Sequence, residues 1–225
     1  MIKRRLLIIG SGSLGLMTSN TAQLGNDFKV AGFVDVYDNP EIWGKEIDGT
    51  KILGNLDCLS DFTDTDDLEV IVSIGDLKTR RRLTAQLTRE GYHFATVIHP
   101  KTIIAPSVKI GEGCIINAGT VIEPYAQIGN YVTIRAGNII SHDVVLDDFA
   151  SLSPGCTLAG RSRVEEGGTL YTGAILTPKV VVRKNAVVGA GAVVLKDVSA
   201  DTMVYGVPAR TAVTGISKES SGQTI

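Results

Sequence analysis

The sequence predicts an α/β domain followed by a three-sided parallel β-helix. Two observations lead to this fold class. A glycine-rich turn at residues 10–15 directly follows an apolar strand, as in nucleotide-binding α/β domains. Further along, aliphatic residues recur at an uninterrupted spacing of six from Ile104 to Val194. Neither the helical period of 3.6 nor the strand period of 2 produces that spacing.

The spacing of six indicates a prism. If each hexad forms one short flat side and a turn, three hexads make one coil whose aliphatic residues point to a common axis. Such repeats bury their inner face only by stacking coil on coil. About five coils at roughly 4.8 Å each give a column on the order of 24 Å long. The aliphatic positions are Ile104, Ile110, Ile116, Ile122, Ile128, Ile134, Ile140, Leu146, Leu152, Leu158, Val164, Leu170, Leu176, Val182, Val188 and Val194.

The residue four places after each aliphatic position is almost always small, as at Cys114, Ala126, Cys156 and Ala192. We expect these small residues to fit the tight corners of the prism. Cys114 and Cys156 are therefore interpreted as packing residues rather than nucleophiles.

The N-terminal domain is predicted to contain four strands, at residues 4–10, 29–35, 69–74 and 94–98. Two helices are predicted at 16–24 and 77–91, and residues 36–67 are expected to form a loop with a short helix near Leu59. Asp35 ends the second strand about twenty positions after the last glycine of the turn. This spacing is typical of a dinucleotide site, in which helix amides bind phosphate and the carboxylate binds ribose hydroxyls.

The glycine turn allows an NAD-dependent oxidoreductase as one alternative. The domain has only one mononucleotide half, however, and no second βαβ half to hold a nicotinamide. A single nucleotide therefore fits better than NAD. A tight turn that binds nothing remains the other alternative.

Four features together resemble one family. They are the hexads, Ser141-His142-Asp143 within them, the glycine turn, and the sequence Gly-Val-Pro-Ala-Arg at 206–210. This combination resembles the bacterial sugar O-acyltransferases of the sialic acid O-acetyltransferase (NeuD) family, which includes nucleotide-amino-sugar N-acetyltransferases. The resemblance spans residues 4–213. It implies a Rossmann-like first domain, a left-handed β-helix, acetyl-CoA as co-substrate and a homotrimer with active sites between subunits.

Acetyl transfer to an amine or hydroxyl needs a base, and histidine suits that role near neutral pH. The resemblance implies that His142 is this base and that Asp143 orients it. From the residues alone, a solvated turn histidine is the alternative. His93, His99 and His142 share no metal-ligand spacing, so no metal is expected.

The resemblance also implies two sets of binding residues. Nucleotide-sugar contacts are expected from Gly10, Ser11, Gly12, Ser13, Asp35 and Gly75. Coenzyme contacts are expected from Ser151, Gly160, Thr172, Gly173 and Ala190. Basic residues that could meet the coenzyme phosphates are Lys179, Arg183, Lys184, Lys196 and Arg210. Family members often have histidine where this chain has Ser151 and asparagine where it has Arg135.

The composition limits the partners and the compartment. The 22 basic and 24 acidic residues are nearly balanced, which argues against nucleic acid or an anionic membrane as the main partner. No apolar stretch approaches the length of a membrane span. The three cysteines are scattered and odd in number, so reduced thiols in the cytoplasm are the simplest account.

We therefore expect a Rossmann-like domain at residues 1–99, a left-handed β-helix of hexapeptide repeats at 100–213 and a flexible tail at 214–225. The expected activity is transfer of acetyl from acetyl-CoA to the amine of a nucleotide-linked amino sugar. Acetylation of a sugar hydroxyl and a noncatalytic sugar-nucleotide-binding module are the alternatives.

Overall fold

A computed structural model of the chain describes residues 3–62 and 68–215. The chain divides into two compact units. The first comprises residues 1–100 with 112–115, and the second comprises 101–111 with 116–225. The tail predicted from residue 214 lies outside the described residues from 216 onward, and Thr214 itself ends a strand.

The first unit is a six-stranded sheet with two helices. Its strands and helices are β1 (Arg4–Ile9), α1 (Ser13–Leu24), β2 (Phe28–Val34), β3 (Glu46–Ile47), β4 (Thr50–Gly54), β5 (Leu68–Val72), α2 (Leu77–Arg89), β6 (His93–Phe94) and, outside this sheet, β7 (Val97–Ile98). The strand order is β3-β4-β2-β1-β5-β6, and β1, β2, β4, β5 and β6 pair in parallel. Leu6, Ile8, Phe33 and Ile71 are fully buried in its core.

The prediction of four strands was wrong for this sheet. The segment interpreted as a loop contains β3 and β4, which form an antiparallel hairpin. Asp48 and Gly49 connect them, and both have positive φ. An Asp-Gly pair is the sequence signal for such a hairpin turn, so the missing strands were detectable. The short helix near Leu59 is present as a 3₁₀ helix at Leu56–Asp61.

The second unit winds as a three-sided parallel prism. Face 1 contains β10 (Ile115–Ile116), β13 (Thr133–Ile134), β16 (Ser151–Leu152), β19 (Thr169–Leu170), β22 (Val187–Val188) and β24 (Thr202–Tyr205). Face 2 contains β8 (Ile103–Ile104), β11 (Val121–Ile122), β14 (Ile139–Ile140), β17 (Thr157–Leu158), β20 (Ile175–Leu176) and β23 (Val193–Val194). Face 3 contains β9 (Lys109–Ile110), β12 (Gln127–Ile128), β15 (Val145–Leu146), β18 (Arg163–Val164) and β21 (Val181–Val182).

Strands of one face pair at a separation of eighteen residues, as between Ile122 and Ile140, except that β24 pairs with β22 at a separation of sixteen. The aliphatic positions from Ile116 to Val194 are all buried, which confirms the predicted coil. Ile104 and Ile110 are only partly buried because they belong to the first coil, whose inner face has a stacked coil on one side only. The predicted α/β domain followed by a parallel β-helix is thus the observed architecture.

The small residues do not sit where they were expected. Cys114, Ala126, Cys156 and Ala192 are fully buried and point inward, two positions before the next aliphatic residue. The corner is made instead by the third residue after each aliphatic position. That residue has a left-handed φ in every hexad from Gly113 to Gly191. A left-handed non-glycine residue costs roughly 1–2 kcal/mol, so stacking must outweigh that cost wherever a side chain is kept.

The last strand, β25 (Arg210–Thr214), pairs antiparallel with β24. The sequence Gly-Val-Pro-Ala at 206–209 is therefore the loop of a hairpin. Within residues 3–62 and 68–215, neither helix has the length and apolar character to cross a bilayer.

The prism interior contains an unpaired hydroxyl that should reduce stability. Ser162 is fully buried and its Oγ has no hydrogen-bond partner. Such a group costs about 1–3 kcal/mol, so Ser162→Ala should raise the free energy of unfolding by about 1 kcal/mol and the melting temperature by about 2–4 °C. Calorimetry would measure this. Ala126→Ser, at an equivalent inward position of the same face, is the matched control and should lower the melting temperature. A lower value for Ser162→Ala would contradict the assignment.

Candidate functional site

Two corners of the prism hold all the predicted acyl-transfer residues except Ser151. The histidine corner, between faces 2 and 3, consists of residues 123–125, 141–143, 159–161, 177–179 and 195–197. The glycine corner, between faces 1 and 2, consists of residues 117–119, 135–137, 153–155, 171–173 and 189–191. Every left-handed turn residue of the glycine corner is glycine. At the histidine corner the corresponding residues carry side chains: Tyr125, Asp143, Arg161 and Lys179.

His142 and Asp143 form a hydrogen-bonded pair at the histidine corner. His142 Nδ1 lies 2.8 Å from Asp143 Oδ2, and the two side chains are 51% and 46% exposed. Asp143 is the left-handed turn residue, with φ of 60°, and aspartate is among the few residues that tolerate this conformation. When Nδ1 carries the proton and donates it to the carboxylate, Nε2 keeps its lone pair. The geometry therefore leaves Nε2 as the acceptor.

Two further residues contact this pair, and the sequence analysis missed both. Glu123 Oε2 accepts a hydrogen bond of 3.0 Å from the backbone N–H of His142. Arg161 Nε lies 3.9 Å from Asp143 Oδ2. The coil period contained the signal, because Glu123 lies eighteen residues before Ser141 and Arg161 eighteen residues after Asp143. Residues at that separation stack on each other.

Gly160 lies directly against the imidazole. A Cβ added at Gly160 would be 2.5 Å from His142 Nε2 and 2.7 Å from Cε1, closer than real contacts allow. The φ of Gly160 lies outside the left-handed region, so its backbone does not require glycine. Glycine is required instead by the position of the His142 ring. Gly160 was predicted to contact the coenzyme, and the structure shows that it lies against His142.

The other predicted coenzyme residues are not near His142 within one chain. Thr172, Gly173 and Ala190 belong to the glycine corner, on the opposite edge of face 2. Ser151 opens strand β16 on face 1 and is partly buried. Arg135, also at the glycine corner, is partly buried, and its carbonyl accepts hydrogen bonds from Asn138 Nδ2 and Thr120 Oγ1. One chain alone therefore does not bring all the predicted residues into one site.

The basic candidates divide in the same way. Arg183 is paired with Glu165 at 3.5 Å and with Asp197 at 3.4 Å. Lys184 is paired with Glu166 at 2.7 Å, and Arg183 and Lys184 both lie at the third corner. Lys179 and Lys196 lie at the histidine corner, above His142 on later coils.

The glycines at the predicted nucleotide site separate into two kinds. A Cβ at Gly15 would lie 2.0 Å from the carbonyl oxygen of Gly10, and a Cβ at Gly10 would lie 2.6 Å from Ile74 Cδ1. The fold therefore requires both glycines. A Cβ at Gly12 or Gly75 would meet nothing within 4 Å. Glycine at Gly12 and Gly75 leaves open space beside the start of α1, which begins at Ser13, and beside the end of β5.

Asp35 has different partners from those expected. Its side chain is buried, with 2% of the residue exposed. Its carboxylate accepts hydrogen bonds from Tyr37 N, Asn39 N and Trp43 Nε1. Burial by itself would raise the pKa of Asp35, but these hydrogen bonds outweigh it and hold the pKa below its ordinary value. The carboxylate of Asp35 is thus held by three donors of its own loop.

Among the described residues, no group of three or more His, Cys, Asp or Glu side chains is arranged to hold a metal ion.

Two protein families match parts of the chain. The family described as PglD N-terminal domain matches residues 5–87, and the bacterial transferase hexapeptide family (six repeats) matches residues 93–124. A comparison with curated protein sequences gives no significant match.

Several solved structures match almost the whole chain. One is a histidine-to-asparagine variant of perosamine N-acetyltransferase from Caulobacter crescentus in complex with CoA and GDP-perosamine. It is 28% identical, with a TM-score of 0.86, over 92% of this chain and 96% of that chain. The acetyltransferase domain of PglB from Neisseria gonorrhoeae FA1090, in complex with acetyl coenzyme A, is 26% identical. Its TM-score is 0.85, over 94% of this chain and 100% of that one.

WeeI from Acinetobacter baumannii AYE is 25% identical, with a TM-score of 0.79, over 92% of this chain and 99% of that chain. Together with the three-sided coil, these matches confirm the predicted α/β domain followed by a left-handed β-helix of hexapeptide repeats.

The contact between Gly160 and His142 gives a direct test of ring placement. If His142 is the base that the resemblance implies, Gly160→Ala should lower kcat by about 100-fold, because displacing a catalytic group by about 1 Å has an effect of that size. Steady-state acetyl transfer would measure it, with the melting temperature unchanged. As the control, Gly160→Ala should add no further loss when it is placed on His142→Ala. An additional loss in the double variant would mean that Gly160 acts independently of His142.

Proposed function

We propose that the chain is an acetyltransferase that moves acetyl from acetyl-CoA to the amine of a nucleotide-linked amino sugar. One observation carries this proposal: His142 is exposed, bonded through Nδ1 to Asp143, and keeps Nε2 accessible beside Gly160. The ligands of the matched structures, CoA with GDP-perosamine and acetyl coenzyme A, support the same reaction. The alternative reaction is acetylation of a sugar hydroxyl, which the name of the NeuD family implies.

The chemistry follows from the pair. The amine attacks the thioester carbonyl, the C–N bond forms, and His142 Nε2 accepts the proton that the amine nitrogen must lose. Asp143 stabilises the resulting imidazolium through Nδ1. As the C–S bond breaks, His142 returns this proton to the leaving sulfur. Free CoA and the N-acetyl sugar are the products, and His142 is neutral again.

A covalent acetyl-enzyme is not part of this proposal. Cys156 is fully buried, and its thiol donates to the Ser153 and Tyr171 carbonyl oxygens. Burial raises the pKa of the Cys156 thiol, which keeps it protonated and weakly nucleophilic. Direct attack in a ternary complex needs no such group.

The nucleotide part of the substrate is assigned to the first unit. Backbone amides at the start of α1 can bind phosphate, because helix N-termini carry unpaired N–H groups and a positive dipole end. The open space at Gly12 and Gly75 allows a ligand to approach the backbone there. Gly10 has the positive φ that the glycine turn needs, and Ser11 and Ser13 lie beside it in the same turn.

We also propose a homotrimer in which face 2 surrounds the axis. The outward positions of face 2 are apolar apart from Thr157, and Ile103, Ile139 and Ile175 are exposed. The outward positions of face 3 include Lys109, Gln127 and Arg163, which are exposed and polar. In a ring about an axis parallel to the prism, the histidine corner of one copy meets the glycine corner of the next. His142 and Gly160 would then share a site with Thr172, Gly173 and Ala190 of a neighbour.

A cytoplasmic location is part of the proposal because acetyl-CoA is the donor.

The reaction can be tested with acetyl-CoA and a panel of nucleotide-linked amino sugars and their hydroxyl analogues. Thiol release should appear with an amino sugar, and His142→Ala should lower kcat by about 100- to 10,000-fold without weakening coenzyme binding. Calorimetric titration with CoA is the control. Wild-type turnover in His142→Ala would remove the base assignment, and turnover with the hydroxyl analogues alone would select O-acetylation.

The assembly is tested separately. Ile175→Glu should dissociate the trimer, because it places like charges around the axis and removes apolar contact. Sedimentation velocity should then show species approaching the mass of one chain, 23.8 kDa. Gln127→Glu adds a carboxylate to face 3 and should leave the trimer intact. An unchanged assembly in Ile175→Glu would place the interface elsewhere.

A further inference from the structure

We infer that the ring of Tyr37 stacks on the nucleobase of the substrate. The carboxylate of Asp35, here called the latch, holds the backbone of Tyr37 in position for this contact. The inference rests on the proposed nucleotide-sugar substrate and assigns a residue to its base. The segment concerned is the Asp35 loop, residues 35–43, which follows strand β2.

The loop is fixed at its start by the buried carboxylate of Asp35. Tyr37 N donates to Oδ1 at 3.1 Å, while Asn39 N at 2.6 Å and Trp43 Nε1 at 3.4 Å donate to Oδ2. One carboxylate therefore holds the backbone at the third and fifth residues of the loop and the indole ring of its last residue.

The loop is also held at two further points. Asn55 Nδ2 donates to Asp38 Oδ1 at 3.1 Å, which ties the middle of the loop to the end of β4. Trp43, at the far end, is partly buried and packs with Ile42 against the hydrophobic core of this unit. The backbone on both sides of Tyr37 is thus restrained before any ligand arrives.

Tyr37 itself points away from this framework. Tyr37 is 73% exposed, although its backbone N–H donates a hydrogen bond to Asp35. A large aromatic ring on a restrained backbone loses little conformational entropy when a flat ligand stacks on it. Exposed tyrosines are common in proteins, and the latch beneath this one is what distinguishes it.

The loop lies at the edge of the sheet where the glycine turn begins. Gly10 N donates to the carbonyl oxygen of Val34 at 2.8 Å, so β1 and β2 end side by side. Ligands of open α/β sheets bind outside the carboxyl ends of the strands. A phosphate at the start of α1 leaves the base to extend along this edge, where the Asp35 loop follows β2. Every base has a π-face, so the ring supplies affinity for any base rather than selecting one.

The test measures binding of nucleoside diphosphates alone, by calorimetry with UDP, CDP, ADP and GDP. Tyr37→Ala should weaken the tightest of them by roughly 5- to 150-fold, the range that stacking of one base supplies. Tyr37→Phe keeps the ring and should bind like the wild type. Tyr205→Ala removes another exposed tyrosine, at the C-terminal hairpin, and should also bind like the wild type.

Trp43 is the only tryptophan and reports on the latch. Asp35→Asn should alter Trp43 emission in the free protein and raise the KM for the nucleotide sugar, with kcat at saturation unchanged. Tyr37→Ala should raise the same KM without altering that emission.

Full nucleotide affinity in Tyr37→Ala, or an equal loss in Tyr37→Phe, would overturn the stacking role. Unchanged emission and KM in Asp35→Asn would overturn the latch. Tyr37-dependent nucleotide binding without acetyl transfer would instead reject the proposed reaction and leave this inference standing.

Discussion

The left-handed residue at each corner from Gly113 to Gly191 is the constraint on which the prism depends. It turns the chain after each two-residue strand, so that residues eighteen apart stack in register. Stacking buries the aliphatic residues from Ile116 to Val194 and satisfies the backbone of each coil with that of its neighbours. The same register determines which side chains meet on the outside. Position within the coil, rather than proximity in sequence, therefore defines the candidate site.

The two corners beside face 2 use this constraint differently. The glycine corner avoids the conformational cost and exposes backbone with small residues such as Ala136 and Ala190. The histidine corner accepts the cost at Asp143 and Arg161 and so places charged groups around an imidazole. An accessible backbone suits an extended amide-containing ligand, and a charged corner suits proton transfer. Neither corner alone has both properties, which is why the proposed site needs two copies of the chain.

The sequence predicted the prism well because its interior repeats directly in the chain. The pair of His142 and Asp143 could also be predicted, because the two residues are adjacent in the sequence. Glu123 and Arg161 were missed because their contact with the pair exists only after the coil is closed. The predicted position of the small residues was wrong for a related reason. Periodicity shows which positions are alike but not which of them face inward. The partners of Asp35 were also hidden, since they depend on how its own loop folds back.

Glycine illustrates how fold and function can be separated at the level of single atoms. Gly10 and Gly15 are required by neighbouring atoms of their own domain, so their presence says little about a ligand. Gly12 and Gly75 face open space, where the fold would accept a methyl group, so their own domain does not explain them, whereas the proposed nucleotide would. Gly160 is a third case, because the atoms that exclude its side chain belong to His142. A glycine that only an imidazole requires links the shape of the coil to the chemistry at its corner.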